Sequence, residues 1–225
     1  MGKRIWEIDF LRFLAITLMV IFHFVYDLKE FANIDIDYNL SPWKEVGKTA
    51  ALLFMFVSGI SSGLSKENYK RGVKVFLWGM VITIVTYILF PQNYVRFGIL
   101  HFLGISMLIS PFLLKINNFL LVVLAGVIAY NPIKGVLWEN GLLLPLGVMY
   151  RGYSSMDYYP LIPYLAYFIL GILAYKIYYY RKKSIFPFSL HNSLISLISQ
   201  KSLWIYLIHQ PVLLAGIYIV KFFIK

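Results

Sequence analysis

An apolar stretch near the start of the chain, Asp9 to Asp27, carries four ionisable side chains on one face of a single predicted helix. Each helical residue advances about 100° and rises about 1.5 Å, so Arg12 lies about 60° and His23 about 40° from Asp9, while Asp27 returns to the same direction. Arg12 and His23 are therefore roughly 16 Å apart along the helix axis. A charge facing lipid costs at least about 2.5–3.5 kcal/mol at mid-bilayer, so such residues normally face protein or water. The stretch predicts a membrane helix that lines polar cavities at both of its ends.

Composition places the rest of the chain in the membrane as well. Of its 225 residues, 60% are hydrophobic and 14% are charged, whereas soluble domains are about 45–50% apolar and about 25% charged. Several apolar runs approach the roughly 20 residues that a helix needs to cross a bilayer. We predict an all-α, polytopic integral membrane helix bundle that forms one domain over residues 1–225, with about seven spans and an eighth possible. The predicted spans are 8–28, 46–64, 73–90, 96–114, 119–130, 160–179 and 202–220.

The stretch 131–158 decides the number of spans and the orientation of the chain. Its apolar part, Leu142 to Tyr150, is too short to cross a membrane alone. We predict that it stays outside or re-enters, and that no eighth span forms at 133–149. With the N-terminus in the cytoplasm, the basic clusters at 66–74 and 181–183 then lie inside, as in most multi-pass proteins of the cell membrane. This orientation predicts an inner group of polar residues and an outer one: Asp9, Arg12 and His209 inside, and His23, Asp27, His101 and Asp157 outside.

Three further features of the sequence exclude some functions or predict a packing contact. The net charge of +11 comes from cations that flank apolar spans, where they orient helices, so we expect no nucleic-acid partner. The chain has no cysteine, which excludes thiolate metal sites and a cysteine nucleophile, and its histidines lack ligand spacing, so we expect no metal. Small residues in the second span, including Ser58 and Gly59, favour close approach of another helix.

The polar residues of the outer group suggest acid–base chemistry. His23 is the first candidate for a general base because the unperturbed pKa of histidine is about 6.5, and Asp27, one turn later, is placed to orient its ring. The alternative is a structural Asp–His hydrogen bond at a helix end. His101 and Asp157 are further catalytic candidates, against the alternatives of a packed interfacial histidine and a helix N-cap. The same clusters are also compatible with a small-molecule transporter or channel that uses one polar cavity.

Four segments, taken together in their order along the chain, resemble a known family. Asp9 to Arg12 with the later His23 resembles the Arg-X10-His signature of integral-membrane acyltransferases, and Phe54 to Gly59 resembles their apolar-Ser-Gly segment. Asp157 to Pro163 and Ser202 to Pro211 are similar to the closing blocks of prokaryotic relatives of the heparan-alpha-glucosaminide N-acetyltransferase catalytic domain. The resemblance covers nearly the whole chain.

The resemblance implies transfer of an acetyl group from cytoplasmic acetyl-CoA to a sugar amine or hydroxyl on the outer side of the membrane. The implied partners are acetyl-CoA, a saccharide or glycoconjugate acceptor and the lipid bilayer, and the sequence leaves a homodimer open. The lysosomal enzyme has an active histidine in the loop after its first span, whereas residues 29–45 here contain none. Arginine binds phosphate bidentately and lysine as a point charge. The candidate acetyl-CoA-binding residues are Arg12, Asp9, His209, Arg71 and Lys74, with positive-inside anchoring as the alternative for the lysine.

Overall fold

A computed structural model describes residues 4–189 and 192–224 of the chain. All of the regular structure in these residues is helical, which confirms the predicted all-α class. A 3-10 helix at Gly141–Leu146 and a π-helical turn at Tyr175–Tyr179 accompany the α-helices. The α-helices are α1 (Trp6–Glu30), α2 (Trp43–Leu64), α3 (Asn68–Leu89), α4 (Ile99–Lys115), α5 (Asn118–Tyr130), α6 (Leu161–Ala174), α7 (Ser193–Gln200) and α8 (Ser202–Ile224).

Five of these helices are long and apolar enough to cross a membrane, namely α1, α2, α3, α8 and α6 with its π-helical turn. Two shorter apolar helices, α4 and α5, make up the seven predicted segments. The eighth span considered at 133–149 does not form, since this stretch contains only turns and the 3-10 helix. Pro145 lies inside that helix and Gly147 ends it with a φ of 110°, and neither residue permits a longer helix there.

The described residues fold as two compact units. Unit 1 combines the two ends of the chain, Met1–Phe54 and Phe186–Lys225, and contains α1, the first half of α2, α7 and α8. Unit 2 is the middle of the chain, Met55–Ile185, and contains the rest of α2 together with α3 to α6.

In unit 1, α7 and α8 follow α1 in the same direction. Ser199 on α7 contacts Asp9, close to the start of α1. At the other end, the Lys221 Nζ of α8 donates a hydrogen bond of 2.7 Å to the carbonyl oxygen of Phe31, which follows the last residue of α1. The polar face of α1 therefore has α7 beside its first turns and α8 beside its later ones.

In unit 2, glycines allow two helices to touch through their backbones. A Cβ atom added to Gly59 of α2 would lie 3.0 Å from the Cα atom of Gly171 of α6 and would collide with the carbonyl oxygen of Phe168. A Cβ added to Gly171 would collide in turn with the carbonyl oxygen of Phe56. The close helix approach predicted from the small residues of the second span is confirmed.

The connections α3–α4 and α5–α6 meet at one end of unit 2, which we call the loop end (residues 90–98 and 131–160). The Met156 amide donates to the Asn93 carbonyl at 2.8 Å, and the Tyr159 amide donates to the Phe97 carbonyl at 3.0 Å. These backbone hydrogen bonds join the two connections, so that residues far apart in sequence form one surface.

Candidate active site

Two histidine rings lie against each other in unit 1. The ring centroids of His23 on α1 and His209 on α8 are 4.8 Å apart, with an angle of 75° between the rings. The His23 Nδ1 lies 2.9 Å from the Met19 carbonyl oxygen, and the His209 Nδ1 lies 2.6 Å from the Tyr206 carbonyl oxygen. A carbonyl only accepts, so each Nδ1 carries a proton and each neutral ring keeps its lone pair on Nε2. Both rings are thus held with their basic nitrogen turned away from the helix that carries them.

A buried carboxylate and a half-buried amide complete this group, which we call the histidine cluster (His23, Asp27, His209 and Gln210). Asp27 is 0% exposed, and its Oδ1 accepts a hydrogen bond of 2.5 Å from the Gln210 Nε2. Three atoms of the cluster are buried and have no hydrogen-bond partner among the described residues: Asp27 Oδ2, Gln210 Oε1 and His209 Nε2. Buried polar atoms are nearly always paired in folded proteins. All three atoms are acceptors in this arrangement, and together they suit a ligand that donates hydrogen bonds.

Two details of the predicted site are wrong. Asp27 does not orient the ring of His23, because that ring is held by the Met19 carbonyl while Asp27 is bonded to Gln210. His209 does not lie at the level of Asp9 and Arg12, because its ring stacks beside that of His23. The reason is α7, which occupies the place beside the first turns of α1 and moves the start of α8 further along.

A second polar group lies at the beginning of α1, and we call it the arginine cluster (Arg4, Asp9, Arg12 and Ser199). Arg4 Nε donates to Asp9 Oδ2 at 2.8 Å, and its Nη2 lies 2.5 Å from Oδ1. Arg12 Nη1 lies 3.6 Å from the Asp9 Oδ1 and donates to the Ser199 Oγ at 2.8 Å. Two guanidinium groups thus share the Asp9 carboxylate, and a second acidic residue, the buried Glu7, lies in the same first turn of α1.

His101 and Asp157 lie in unit 2 and both bind the first turn of α4. The His101 Nδ1 accepts from the Gly98 amide at 3.2 Å, and its Nε2 lies 3.3 Å from the Thr83 Oγ1. The Asp157 Oδ2 accepts from the Ile99 amide at 2.9 Å. Amides in the first turn of a helix have no partner within the helix, so these two side chains cap α4.

The environment of Asp157 disfavours its charged form. Burial raises the pKa of the Asp157 carboxyl to about 6, although the hydrogen bond from the Ile99 amide acts in the opposite direction. Asp157 therefore has the capping role, one of the two roles that its sequence suggested. It caps α4 and not α6, the helix that follows it in the chain.

The remaining candidates, Arg71 and Lys74, lie on the first turns of α3 in unit 2. Arg71 is partly buried and Lys74 is exposed, and neither makes an ion pair within residues 4–189 and 192–224. Over the same residues, no three histidine, aspartate or glutamate side chains are arranged to hold a metal ion.

Sequence reasoning did not select Gln210, Arg4 or Ser199. Gln210 follows His209 directly, but its only sequence signal is its polar character within an apolar span. Ser199 lies in a short polar helix that composition alone does not distinguish from a linker.

The fold and the two clusters of unit 1 define a multi-pass helical membrane protein with a buried histidine site on its first and last spans. A family model described as heparan-alpha-glucosaminide N-acetyltransferase, catalytic, matches residues 4–211 and so covers most of the chain, including both clusters. The chain belongs to this family, which confirms the resemblance and implies an acetyltransferase. Neither the comparison with curated proteins nor that with solved structures gives a match.

Proposed function

We propose that the protein transfers an acetyl group from acetyl-CoA to the amine or hydroxyl of a saccharide on the opposite side of the membrane. The N-terminus and the arginine cluster lie on the cytoplasmic side in this proposal, and the histidine cluster is approached from the outer side. The family supports the reaction type.

The observation that carries the proposal is the set of unpaired buried acceptors in the histidine cluster. An amine or a hydroxyl is a hydrogen-bond donor, and its proton must be removed as it attacks the thioester carbonyl. The Nε2 of His23 is the base in this scheme, since the Nδ1 of that ring is committed to the Met19 carbonyl. Asp27 and Gln210 supply further acceptors for the attacking group.

The steps of the transfer balance without a further reactant. The nitrogen or oxygen of the acceptor forms a bond to the acetyl carbonyl carbon while His23 takes its proton. The carbon–sulfur bond of the thioester then breaks, and coenzyme A leaves as a thiolate that takes the proton back from the imidazolium. His209, 4.8 Å from His23 between ring centroids, is a second neutral imidazole placed to share that proton.

The arginine cluster suits the phosphates of the donor. It contains two guanidinium groups, and the side chains of Arg4 and Arg12 are 42% and 19% exposed. Arg12 and His23 lie roughly 16 Å apart along α1, and the pantetheine arm of coenzyme A likewise holds the thioester well away from the diphosphate. In this proposal Arg12 and Asp9 act at the phosphate end of the donor, and His23 and His209 act at its thioester end.

The first test is calorimetric titration of the purified, detergent-solubilised protein with acetyl-CoA. We expect saturable binding that Arg12→Ala abolishes. The matched control is Lys44→Ala, which removes one positive charge from an exposed position at the start of α2 in the same unit. An equal loss of acetyl-CoA binding in both variants would mean that Arg12 contributes only its positive charge and no specific contact with the donor.

The second test separates binding from transfer. His23→Ala should bind acetyl-CoA normally and fail to acetylate a panel of amino sugars and neutral sugars. A normal rate of acetylation by His23→Ala would remove His23 as the base. If the protein instead carried a solute across the membrane of proteoliposomes without turnover of acetyl-CoA, the transporter or channel interpretation would replace the acetyltransferase one.

A further inference from the structure

The loop end of unit 2 contains a cavity that the proposed acetyl transfer does not use. It has a volume of about 440 Å³ and lies between the α3–α4 connection and the 3-10 helix at Gly141–Leu146. A cavity of this size is within the usual range for small-molecule sites. Its lining residues are Thr83, Tyr94, Arg96, Glu139, Asn140, Gly141, Leu144 and Tyr150.

Arg96 in the wall of this cavity is surrounded by aromatic rings. Its guanidinium carbon lies 4.6 Å from the ring centroid of Tyr94, 5.5 Å from that of Tyr150 and 5.6 Å from that of Tyr153. Rings at such distances attract the cation and hold its plane in place. They do not accept the directed hydrogen bonds that the fork of N–H groups offers.

The guanidinium of Arg96 has no counter-ion among the residues that the structure describes. Its Nε is buried and has no hydrogen-bond partner there. Charged groups that are partly withdrawn from water are normally paired. Arg96 is therefore a preorganised cation that forms no ion pair within the described residues, although the exposed carboxylate of Glu139 lines the same cavity.

The other walls of the cavity suit a ring that carries hydroxyl groups. Tyr94 and Tyr150 present aromatic surface, which packs against the C–H face of a sugar ring. Asn140 uses its Oδ1 to accept from the Leu142 amide, so its side-chain amide nitrogen remains to donate. Glu139 is exposed at the cavity and its carboxylate accepts hydrogen bonds from hydroxyl groups.

We propose that this cavity is a binding site for a sugar acid, a hydroxylated ring that bears a carboxylate. Arg96 pairs with the carboxylate through two parallel N–H donors, the two tyrosines contact the ring, and Asn140 and Glu139 bind its hydroxyls. The site lies in unit 2 and does not depend on the histidine cluster or on acetyl transfer.

The test uses the full chain in detergent and three probes measured by calorimetry. D-galacturonate carries the ring and the carboxylate, D-galactose carries the ring alone, and acetate carries the carboxylate alone. We expect saturable binding of galacturonate in the millimolar range. A charge-assisted hydrogen bond contributes about 1.5–3 kcal/mol, so galactose and acetate should each bind at least about tenfold more weakly. Equal binding of galactose and galacturonate, or no binding of galacturonate, would overturn the proposal.

The variants locate the site. Arg96→Lys keeps the charge and loses the bidentate fork, so we expect galacturonate binding to fall at least about tenfold. The matched control is Arg151→Lys, since Arg151 is an exposed arginine of the same loop end that does not line the cavity. Unchanged binding in Arg96→Lys, or an equal loss in Arg151→Lys, would refute the assignment. If Arg96→Lys does not fold, the comparison of the three probes with the native chain still decides the proposal.

Discussion

Replacing Gly171 by alanine tests the backbone contact between α2 and α6. The new Cβ would collide with the Phe56 carbonyl oxygen and lie 3.0 Å from the Cα atom of Gly59. Both partners are backbone atoms, so no side chain is able to turn away and the helices must separate. Overpacking of this kind costs about 1–3 kcal/mol, and a rigid partner places this case near about 3 kcal/mol. Alanine regains about 1 kcal/mol as the better helix former, so the net loss is about 2 kcal/mol.

The matched control is Gly126→Ala in α5, where an added Cβ meets no atom within 4 Å. It gains the same helix propensity without a collision, so the two variants should differ by about 3 kcal/mol. At about 2–4 °C per kcal/mol, this is a difference of about 6–12 °C in the melting temperature of the detergent-solubilised protein. Melting temperatures of Gly171→Ala and Gly126→Ala within about 1 °C of each other would show that α2 and α6 do not touch through their backbones.

Three further predictions concern a pH dependence, the orientation of the chain and the histidine cluster. Burial raises the pKa of Asp157 to about 6, above its ordinary value of about 3.9, so folding stability should fall by roughly 3 kcal/mol in all as pH rises from about 3 to about 7; Asp157→Asn should flatten this part of a melting-temperature profile. Because the chain has no cysteine, single cysteines report sidedness directly: an impermeant maleimide added to intact cells should label Asn39→Cys and not Lys66→Cys, and the reverse pattern would invert the proposed orientation. Gln210→Ala leaves the fully buried Asp27 without its amide donor, which should cost about 1.5–3 kcal/mol; adding Asp27→Asn should recover part of this loss, and no recovery would mean that the carboxylate charge is not the cause.

The helices were well predicted from the sequence, because the length of an apolar run and the positions of small residues are both properties of a single segment of the chain. The close approach of another helix at Gly59 followed from residue size, although the partner α6 did not, and the failure of 133–149 to form a span followed from its short apolar part. The side-chain partners were harder to predict, since they depend on which helices are neighbours. His209 was expected at the wrong depth because the predicted spans do not include α7, whose place beside α1 sets the position of α8.

The polar side chains of unit 2 show the same limit. In sequence, a histidine near the start of a span fits a catalytic role or that of a packed interfacial residue, and an aspartate before a proline fits a catalytic role or a capping one. The meeting of the two connections at the loop end brings Asp157 to the first turn of α4, where His101 binds the Gly98 amide. Arg96 was not selected from the sequence, because only Tyr94 is near it along the chain and its other aromatic neighbours, Tyr150 and Tyr153, are more than fifty residues away.

The hydrogen bond from Lys221 to the Phe31 carbonyl involves the last turns of α8, which lie outside the part of the chain that matches the family model. The family match ends at residue 211, and yet this lysine reaches back from ten residues later to the end of the first span. A chain shortened to the matched region would keep all four residues of the histidine cluster and the hydrogen bond from Gln210 to Asp27, but it would lose the second hydrogen bond that joins α8 to the end of α1. The C-terminal turns thus add a second point of attachment between the two helices that carry His23 and His209, although they contribute no residue to the cluster.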